Sequence, residues 1–162
     1  MNAKLIVEGK EFDIQILDPE LQKLLMPPKK TGYERVHQYD GYWYDTMDGN
    51  IGKESDDVAD IDDTAYVYAN YYSDATIAKN NARADTLMRQ LRRFAVEHRN
   101  NDKVVERYYI YYVKDACILQ VMRDTVNCYV GPWFDNQHAC AQAIETFKDE
   151  LIWYFTEYKD SL

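Results

Sequence analysis

Six acidic residues fall within one stretch of eleven, KESDDVADIDD at 53–63. Alternating carboxylates could ligate calcium, but a calcium loop needs glycine at its sixth position, and counting from Asp56 that residue is Ile61. Two hypotheses remain. The stretch is either a solvated loop whose like charges repel, or a surface whose carboxylates imitate phosphates and enter a basic groove of another protein. The candidate acidic contacts are Glu54, Asp56, Asp57, Asp60, Asp62 and Asp63.

Histidines and cysteines are the other residues that could do chemistry. They are His37, His98, His138, Cys117, Cys128 and Cys140. Their spacing forms no His-x-x-x-His or Cys-x-x-Cys pair, which zinc sites need. Cys117 and Cys128 lie in apolar strand-like runs, so we predict packed thiols and not nucleophiles. With no P-loop, Gly-x-Ser-x-Gly or HExxH motif either, the sequence predicts no metal, no cofactor and no enzymatic activity.

Fifteen tyrosines are the unusual feature of the composition. Tyrosine suits half-buried sheet faces and also protein-binding surfaces. The run Tyr42, Trp43 and Tyr44 supplies candidate aromatic anchors, because such side chains often dominate interface energy. We therefore predict that these three residues contact a partner together with the acidic stretch.

Positive charge is concentrated on a predicted long helix over 73–100, in a chain whose formal charge is −9. The helix is indicated by a Ser73-Asp74 start, an apolar stripe at helical spacing and the absence of Gly and Pro. Its basic residues are Lys79, Arg83, Arg89, Arg92, Arg93 and Arg99. They form either a solvated face or a site for anions, nucleic acid included. A pI near 4.8 disfavours general nucleic-acid binding.

The N-terminal part is predicted to form an arm outside the main fold. Residues 4–16 predict a hairpin with a glycine turn, and Asp18-Pro19 predicts the start of a short helix that ends before Pro27-Pro28. We therefore expect an arm over 1–26 and an α+β domain over 27–162. A face formed by Leu21, Leu24 and Leu25 would favour a homodimer contact if it is exposed.

The main domain is predicted to repeat one unit twice. Short strands at 33–36, 42–45 and 65–72 lead to the first long helix, and strands at 104–113, 117–122 and 125–130 lead to a second helix that starts at Asp135. Two aromatic residues and a helix cap stand at both strand-to-helix junctions, Tyr71-Tyr72-Ser73 and Trp133-Phe134-Asp135. The predicted fold is thus α+β, with duplicated antiparallel β-meander plus long helix units at 32–100 and 104–160.

Four segments carry a resemblance to a known group of proteins: KLIVEGKEFDIQILDPELQKLL, PKKTGYERV, ANYYSDATIAKNNARADTLMRQLRRFAVEHRN and WFDNQHACAQAIETFKDELIWYF. Together they resemble a family of small proteins encoded in phages, prophages and mobile elements of low-GC Gram-positive bacteria. The resemblance covers nearly the whole chain and brings no catalytic motif. It implies a bacterial host setting. Within that setting we expect the cytoplasm and no membrane, because the sequence has no run of about eighteen apolar residues and its MNAKLIVEGKEF start has charges where a signal peptide needs an apolar core. Because anti-CRISPR proteins come from that setting, the resemblance also implies a host defence protein as partner.

The sequence therefore supports three hypotheses about function. The leading hypothesis is a non-enzymatic, phage-derived interaction protein that inhibits a host protein, such as a nucleic-acid-binding defence effector, through its acidic, tyrosine-rich surface. The alternative is a nucleic-acid-binding or accessory replication protein that uses the basic helix face. A third is a small-ligand or nucleotide-binding module with a pocket between helices and sheet.

Overall fold

A computed structural model describes residues 2–7, 9–21, 30–99, 106–124 and 131–158. Antiparallel strand pairs and helices alternate along these residues, which confirms the α+β class. In chain order the elements are β1 (Asn2–Val7), β2 (Lys10–Gln15), β3 (Gly41–Asp45), β4 (Ile51–Ser55), α1 (Asp60–Val67), α2 (Ala75–Glu97), β5 (Arg107–Val113), β6 (Ile118–Asp124), α3 (Gln137–Thr146) and α4 (Lys148–Trp153).

The predicted N-terminal hairpin is confirmed. Strands β1 and β2 pair from Asn2–Gln15 to Val7–Lys10, and Gly9 takes the left-handed conformation at the turn, with φ of 80°. The Asp18 carboxylate then accepts hydrogen bonds from the main-chain N–H groups of Glu20 and Leu21, as a helix cap does. Leu21 of the predicted leucine face is 45% exposed. Residues 22–29, with Leu24, Leu25, the rest of the predicted helix and the predicted arm boundary, lie outside the described residues.

Two predicted strands of the first unit are wrong. Residues 33–36 form no strand, and the predicted strand over 65–72 is replaced by the last three residues of helix α1, which begins in the acidic stretch, and by a turn that leads to a single bridge at Tyr72. The helix lacks a regular apolar stripe that the sequence could reveal. It forms because the Asp62 carboxylate accepts a hydrogen bond from the N–H of Ala59, the N-cap residue of the helix. The Asp62 side chain is itself fixed by hydrogen bonds from residues beneath the helix.

Helix α2 confirms the predicted long helix, with slightly shorter ends. Its N-cap is Asp74 and not Ser73, and the Asp74 carboxylate accepts from the N–H groups of Thr76 and Ile77 at 2.7 and 3.0 Å. The helix contacts β3 and β4 on one side and α3 on another. It is therefore the element on which both halves of the chain are assembled.

Each half joins a hairpin to a helix through one extra bridge. Tyr72 pairs with Trp43 of β3, and Phe134 pairs with Tyr108 of β5. In both cases the added residue pairs with the first strand of the hairpin, whereas in a meander it would pair with the second. The predicted repeat is thus present at these two junctions, but the described residues do not confirm the meander arrangement. The predicted strand at 125–130 lies outside them.

The second long helix is divided. Asn136, not Asp135, is the N-cap, and its side chain accepts from the N–H of Ala139 at 2.7 Å. Helix α3 ends before Phe147, whose φ of −113° interrupts the helical path, and α4 continues from Lys148.

The main core lies where α2 meets the second hairpin, α3 and α4. Leu87 and Leu91 of α2 pack in one cluster with Ile110 of β5, Phe134 and Leu151 of α4. The two predicted units therefore share a core and are not separate domains. No helix in the described ranges combines the length and apolar character needed to cross a bilayer.

Candidate functional site

A buried ionic network lies beneath helix α1. The Asp56 side chain is only 1% exposed, and its two oxygens accept from Arg35 Nε at 2.8 Å and Arg35 Nη2 at 3.0 Å. The same carboxylate accepts from the Tyr71 hydroxyl at 2.7 Å and the Val58 N–H at 3.0 Å. These donors, the Arg35 guanidinium first, hold the pKa of Asp56 well below its usual range.

Asp62 is a second internal carboxylate, 2% exposed. Its Oδ1 accepts from the Tyr42 hydroxyl at 3.0 Å, and its Oδ2 accepts from the N–H groups of Asp57 and Ala59, each at 3.0 Å. The Tyr42 ring stacks on the Tyr71 ring with centroids 4.0 Å apart, which joins the two carboxylate sites. Burial, and then the bond to Asp62, raises the pKa of Tyr42. Asp56 and Asp62 thus fix the start of α1.

This network divides the predicted acidic contacts. Asp56 and Asp62 are internal and cannot meet a partner, which corrects that part of the prediction. Asp63 is half-exposed and forms an ion pair with Arg35. Glu54, Asp57 and Asp60 remain exposed. The stretch is therefore an ordered loop and helix, held by a cation 21 residues upstream of Asp56, and not a loop opened by charge repulsion.

The predicted aromatic anchors are also mostly internal. Tyr42 is buried, and Trp43 and Tyr44 are half-buried. The ammonium of Lys53 lies 5.3 Å from the centre of the Trp43 ring, and Tyr44 covers Gly52 across the strand pair, where a Cβ atom would meet its ring at 2.4 Å. These residues hold the hairpin together, so the prediction that they form an exposed anchor set is wrong.

Helix α1 instead exposes a surface that the sequence did not indicate. We call it the α1 surface; its members are Val58, Ile61, Val67, Tyr68, Asp57 and Asp60. Ile61 is 71% exposed and Tyr68 is 80% exposed, and a spacing of seven residues puts both on one side of the helix. The sequence did not indicate this surface because residues 65–72 were predicted to form a strand, which would have turned alternate residues inward.

Val58 is the strained residue of this surface. Its φ is 59°, in the left-handed region that a β-branched residue rarely adopts, and its side chain is 55% exposed. The N–H bond to Asp56 holds it there. Strain of this kind costs about 1–3 kcal/mol and is found most often at functional sites. Packing does not require the side chain, because it is largely in solvent.

The basic residues of α2 separate into two groups. Four of them line an open cleft against the β3–β4 turn: Lys79, Arg83, Arg89 and Arg93. Arg92 and Arg99 line neither of its cavities. Three of the four cleft residues already have acidic partners, with N–O separations of 2.7 Å for Arg83–Glu150, 3.8 Å for Arg89–Asp45 and 3.7 Å for Arg93–Glu97.

Histidines and cysteines show no catalytic arrangement within the described ranges. His98 stacks on Phe94 at 3.8 Å, and no group of three or more His, Cys, Asp or Glu side chains there could hold a metal ion. Cys140 is buried, and burial raises its pKa to about 12. Cys117 is exposed at the end of a turn, so the prediction that it is packed is wrong; Cys128 lies outside the described residues.

Comparisons with known proteins identify no relative of this chain. No protein-family model, no curated protein and no solved structure matches the chain.

Proposed function

We propose that this chain is a non-enzymatic interaction protein that binds a basic surface of another protein through the α1 surface. The observation that carries the proposal is the exposure of four apolar side chains at helix α1 and its two ends: Ile61 and Val67 within the helix, Val58 before it and Tyr68 at its C-cap. Scattered apolar side chains are ordinary on a protein surface, but a group that lies together marks an interaction site.

The chemistry of the α1 surface defines the partner. Asp57 and Asp60 are exposed beside the apolar side chains, and the chain carries a formal charge of −9. A basic partner would be steered toward this charge, and the apolar side chains would supply the buried contact. The internal network fits this role, because a helix held by Asp56 and Asp62 loses little conformational entropy on binding.

The resemblance to phage-encoded proteins suggests a class of partner. Proteins that bind nucleic acid carry basic grooves, and an acidic surface with carboxylates on a rigid helix can occupy such a groove. We propose a host defence protein of this kind as the target, and the bacterial cytoplasm as the place where the two proteins meet.

The test is capture of partners from a nuclease-treated lysate of a low-GC Gram-positive bacterium. The baits are the tagged wild-type protein, the double variant Ile61→Lys/Tyr68→Lys, and the control Met47→Lys. Met47 is 82% exposed in the β3–β4 turn, away from α1, so the control introduces the same side chain at an unrelated place. Circular dichroism would first confirm that all three proteins are folded.

We expect a stoichiometric protein that the wild type and the Met47 variant retain and that the double variant loses. Its recovery should fall as salt rises, since charge steers the encounter. Recovery that is equal for all three baits would refute a role for the α1 surface. Recovery only from lysate without nuclease would favour the nucleic-acid alternative, which a gel shift with single- and double-stranded DNA and RNA at low salt would then test.

A further inference from the structure

A cleft runs along helix α2 beside the turn of the β3–β4 hairpin. The α1 surface lies at the opposite end of that hairpin. Its outer wall is the β3–β4 turn, where Gly49 approaches Thr86 of α2 so closely that a Cβ atom would lie 3.4 Å from the Thr86 hydroxyl. On one side of this contact is a cavity of about 700 Å³, and on the other is a cavity of about 240 Å³. Thr86 and Gln90 line both cavities, so the two form one cleft.

The helical wall of the cleft is one stripe of α2. Lys79, Arg83, Thr86, Gln90 and Arg93 follow one another at steps of four, three, four and three, which keeps them on one side of the helix over about 21 Å. The stripe has cations at both ends and neutral hydrogen-bonding groups between them. An elongated ligand with an anionic end would match this order.

Arg83 is fixed in place at the larger cavity. Its Nε and Nη2 donate to the two Glu150 oxygens at 2.7 and 3.0 Å, and its guanidinium lies 3.9 Å from the centre of the Trp153 ring. A guanidinium has five N–H donors, so this pairing leaves others for a ligand. Lys79 lines the same cavity and has no acidic partner within 4.0 Å among the described residues. The pair thus offers the remaining N–H groups of a fixed guanidinium and an adjustable ammonium, which together suit a phosphate.

Glu150 also lines the larger cavity, with its carboxylate paired to Arg83, and the other lining residues are neutral. The side-chain amides of Asn50 and Gln90 can donate and accept hydrogen bonds, and the half-buried Ile51 adds apolar surface. A volume of about 700 Å³ falls in the range of pockets that hold small molecules. Amides suit the polar edge of a nucleobase, and apolar side chains suit its face.

We propose that this cleft binds a nucleoside phosphate, with the phosphates at Lys79 and Arg83 and the base near Gln90. The proposal does not depend on the α1 surface, which lies at the other end of strands β3 and β4. The site assigns a ligand to one part of the basic helix face and leaves Arg92 and Arg99 without a role in it.

The test is isothermal titration calorimetry at 50 mM salt with ATP and GTP, and with pyrophosphate, adenosine and an oligothymidine as comparison probes. The variants are Lys79→Ala, Gln90→Leu and the control Arg92→Ala. Lys79 and Arg92 are both exposed on α2, so neither substitution should affect folding. Arg83 is left intact because it also packs on Trp153.

We expect at least one nucleotide to bind in the micromolar range. Lys79→Ala should lower the affinity for that nucleotide about tenfold, as expected for the loss of one charge-assisted contact, and Arg92→Ala should leave the affinity unchanged. Gln90→Leu should lower the affinity for the nucleotide and leave the affinity for pyrophosphate unchanged. The proposal would be overturned by no nucleotide binding at millimolar concentration, by equal losses in the Lys79 and Arg92 variants, by pyrophosphate binding as tightly as the nucleotide, or by binding of the oligothymidine alone.

Discussion

Tyr72 and Phe134 occupy equivalent positions in the two halves of the chain. Each exchanges a pair of main-chain hydrogen bonds with the first strand of the preceding hairpin, and the N–O distances are 2.8 and 2.9 Å in both pairs. Each also lies two residues before the N-cap of the helix that follows, Asp74 in one case and Asn136 in the other. The chain thus uses one connection twice to place a helix against a strand pair.

This connection should be a major contributor to stability. Phe134 is 1% exposed in the main core, so Phe134→Ala leaves a cavity and should lower the free energy of unfolding by about 3–5 kcal/mol. Tyr111→Ala is the control, because Tyr111 is 48% exposed on β5. Urea denaturation measures both. A loss for Phe134→Ala no larger than that for Tyr111→Ala would show that the junction is not part of the core.

The strain at Val58 predicts a gain in stability together with a loss of function. Val58→Gly should raise the free energy of unfolding by about 1 kcal/mol, since glycine adopts a φ of 59° without steric cost. It should also weaken partner binding, because it removes an exposed apolar side chain of the α1 surface. Met47→Gly is the matched control: Met47 has a φ of 66° and lies in the β3–β4 turn. That variant should keep full binding, and an equal loss of binding in both variants would remove Val58 from the site.

The Asp56 network predicts acid sensitivity. The folded-state pKa of Asp56 is depressed, so its stabilising contribution is complete above the unfolded-state value of about 3.9 and is lost as pH falls below it. Urea titrations between pH 7 and pH 2 should show a level free energy of unfolding above about pH 5 and a decline below about pH 4. Asp56→Asn should flatten that decline, whereas Asp60→Asn should preserve it. An unchanged slope in the Asp56 variant would contradict the assignment.

The hydroxyl of Tyr42 should contribute to stability, although it lies inside the protein and contacts no partner protein. Tyr42→Phe leaves the buried Asp62 Oδ1 without its donor and should cost about 1–2 kcal/mol. Amide exchange at the start of α1 should become faster, because Asp62 positions the N–H groups of Asp57 and Ala59. Tyr66→Phe is the control, since Tyr66 is exposed. Identical exchange in both variants would mean that Asp62 holds α1 without Tyr42.

Thiol chemistry distinguishes the two described cysteines. Cys117 is exposed, whereas Cys140 is buried in the core and has its pKa raised to about 12 by burial. At pH 8 iodoacetamide should therefore label Cys117 in the folded protein long before Cys140, as read from peptides by mass spectrometry. In urea the two rates should become equal. Rapid labelling of Cys140 without denaturant would contradict its place in the core.

Much of the fold could be predicted from local patterns. The N-terminal hairpin has a glycine turn between alternating residues, and α2 has a cap, an apolar stripe and no interruption over 75–97. Each of these signals lies within a single hairpin or helix, so it can be recognised in one sequence. The two aromatic-plus-cap junctions were visible for the same reason, but which strand Tyr72 and Phe134 pair with was not, because pairing depends on distant residues.

The candidate site could not be predicted because it depends on contacts between distant residues. Arg35 and Asp56 are far apart in sequence, and nothing local shows that their pairing turns an acidic stretch into an ordered loop. Helix α1 lacks an apolar stripe, and its aromatic end favoured a strand. Once Asp62 holds the start of the helix, Ile61 and Tyr68 turn outward. The acids indicated the right region, but the exposed apolar residues define the surface.

Site-specific photo-cross-linking tests the central claim most directly. A photoreactive phenylalanine derivative at position 61 of the α1 surface, or at the control position Val96, 60% exposed on α2, would be activated in bacterial cells that contain the protein. We predict a discrete adduct with a host protein from position 61 that is absent from position 96 and diminished by Asp57→Asn/Asp60→Asn. Adducts of equal yield from both positions, or none from position 61, would contradict the assignment of the α1 surface as the binding site.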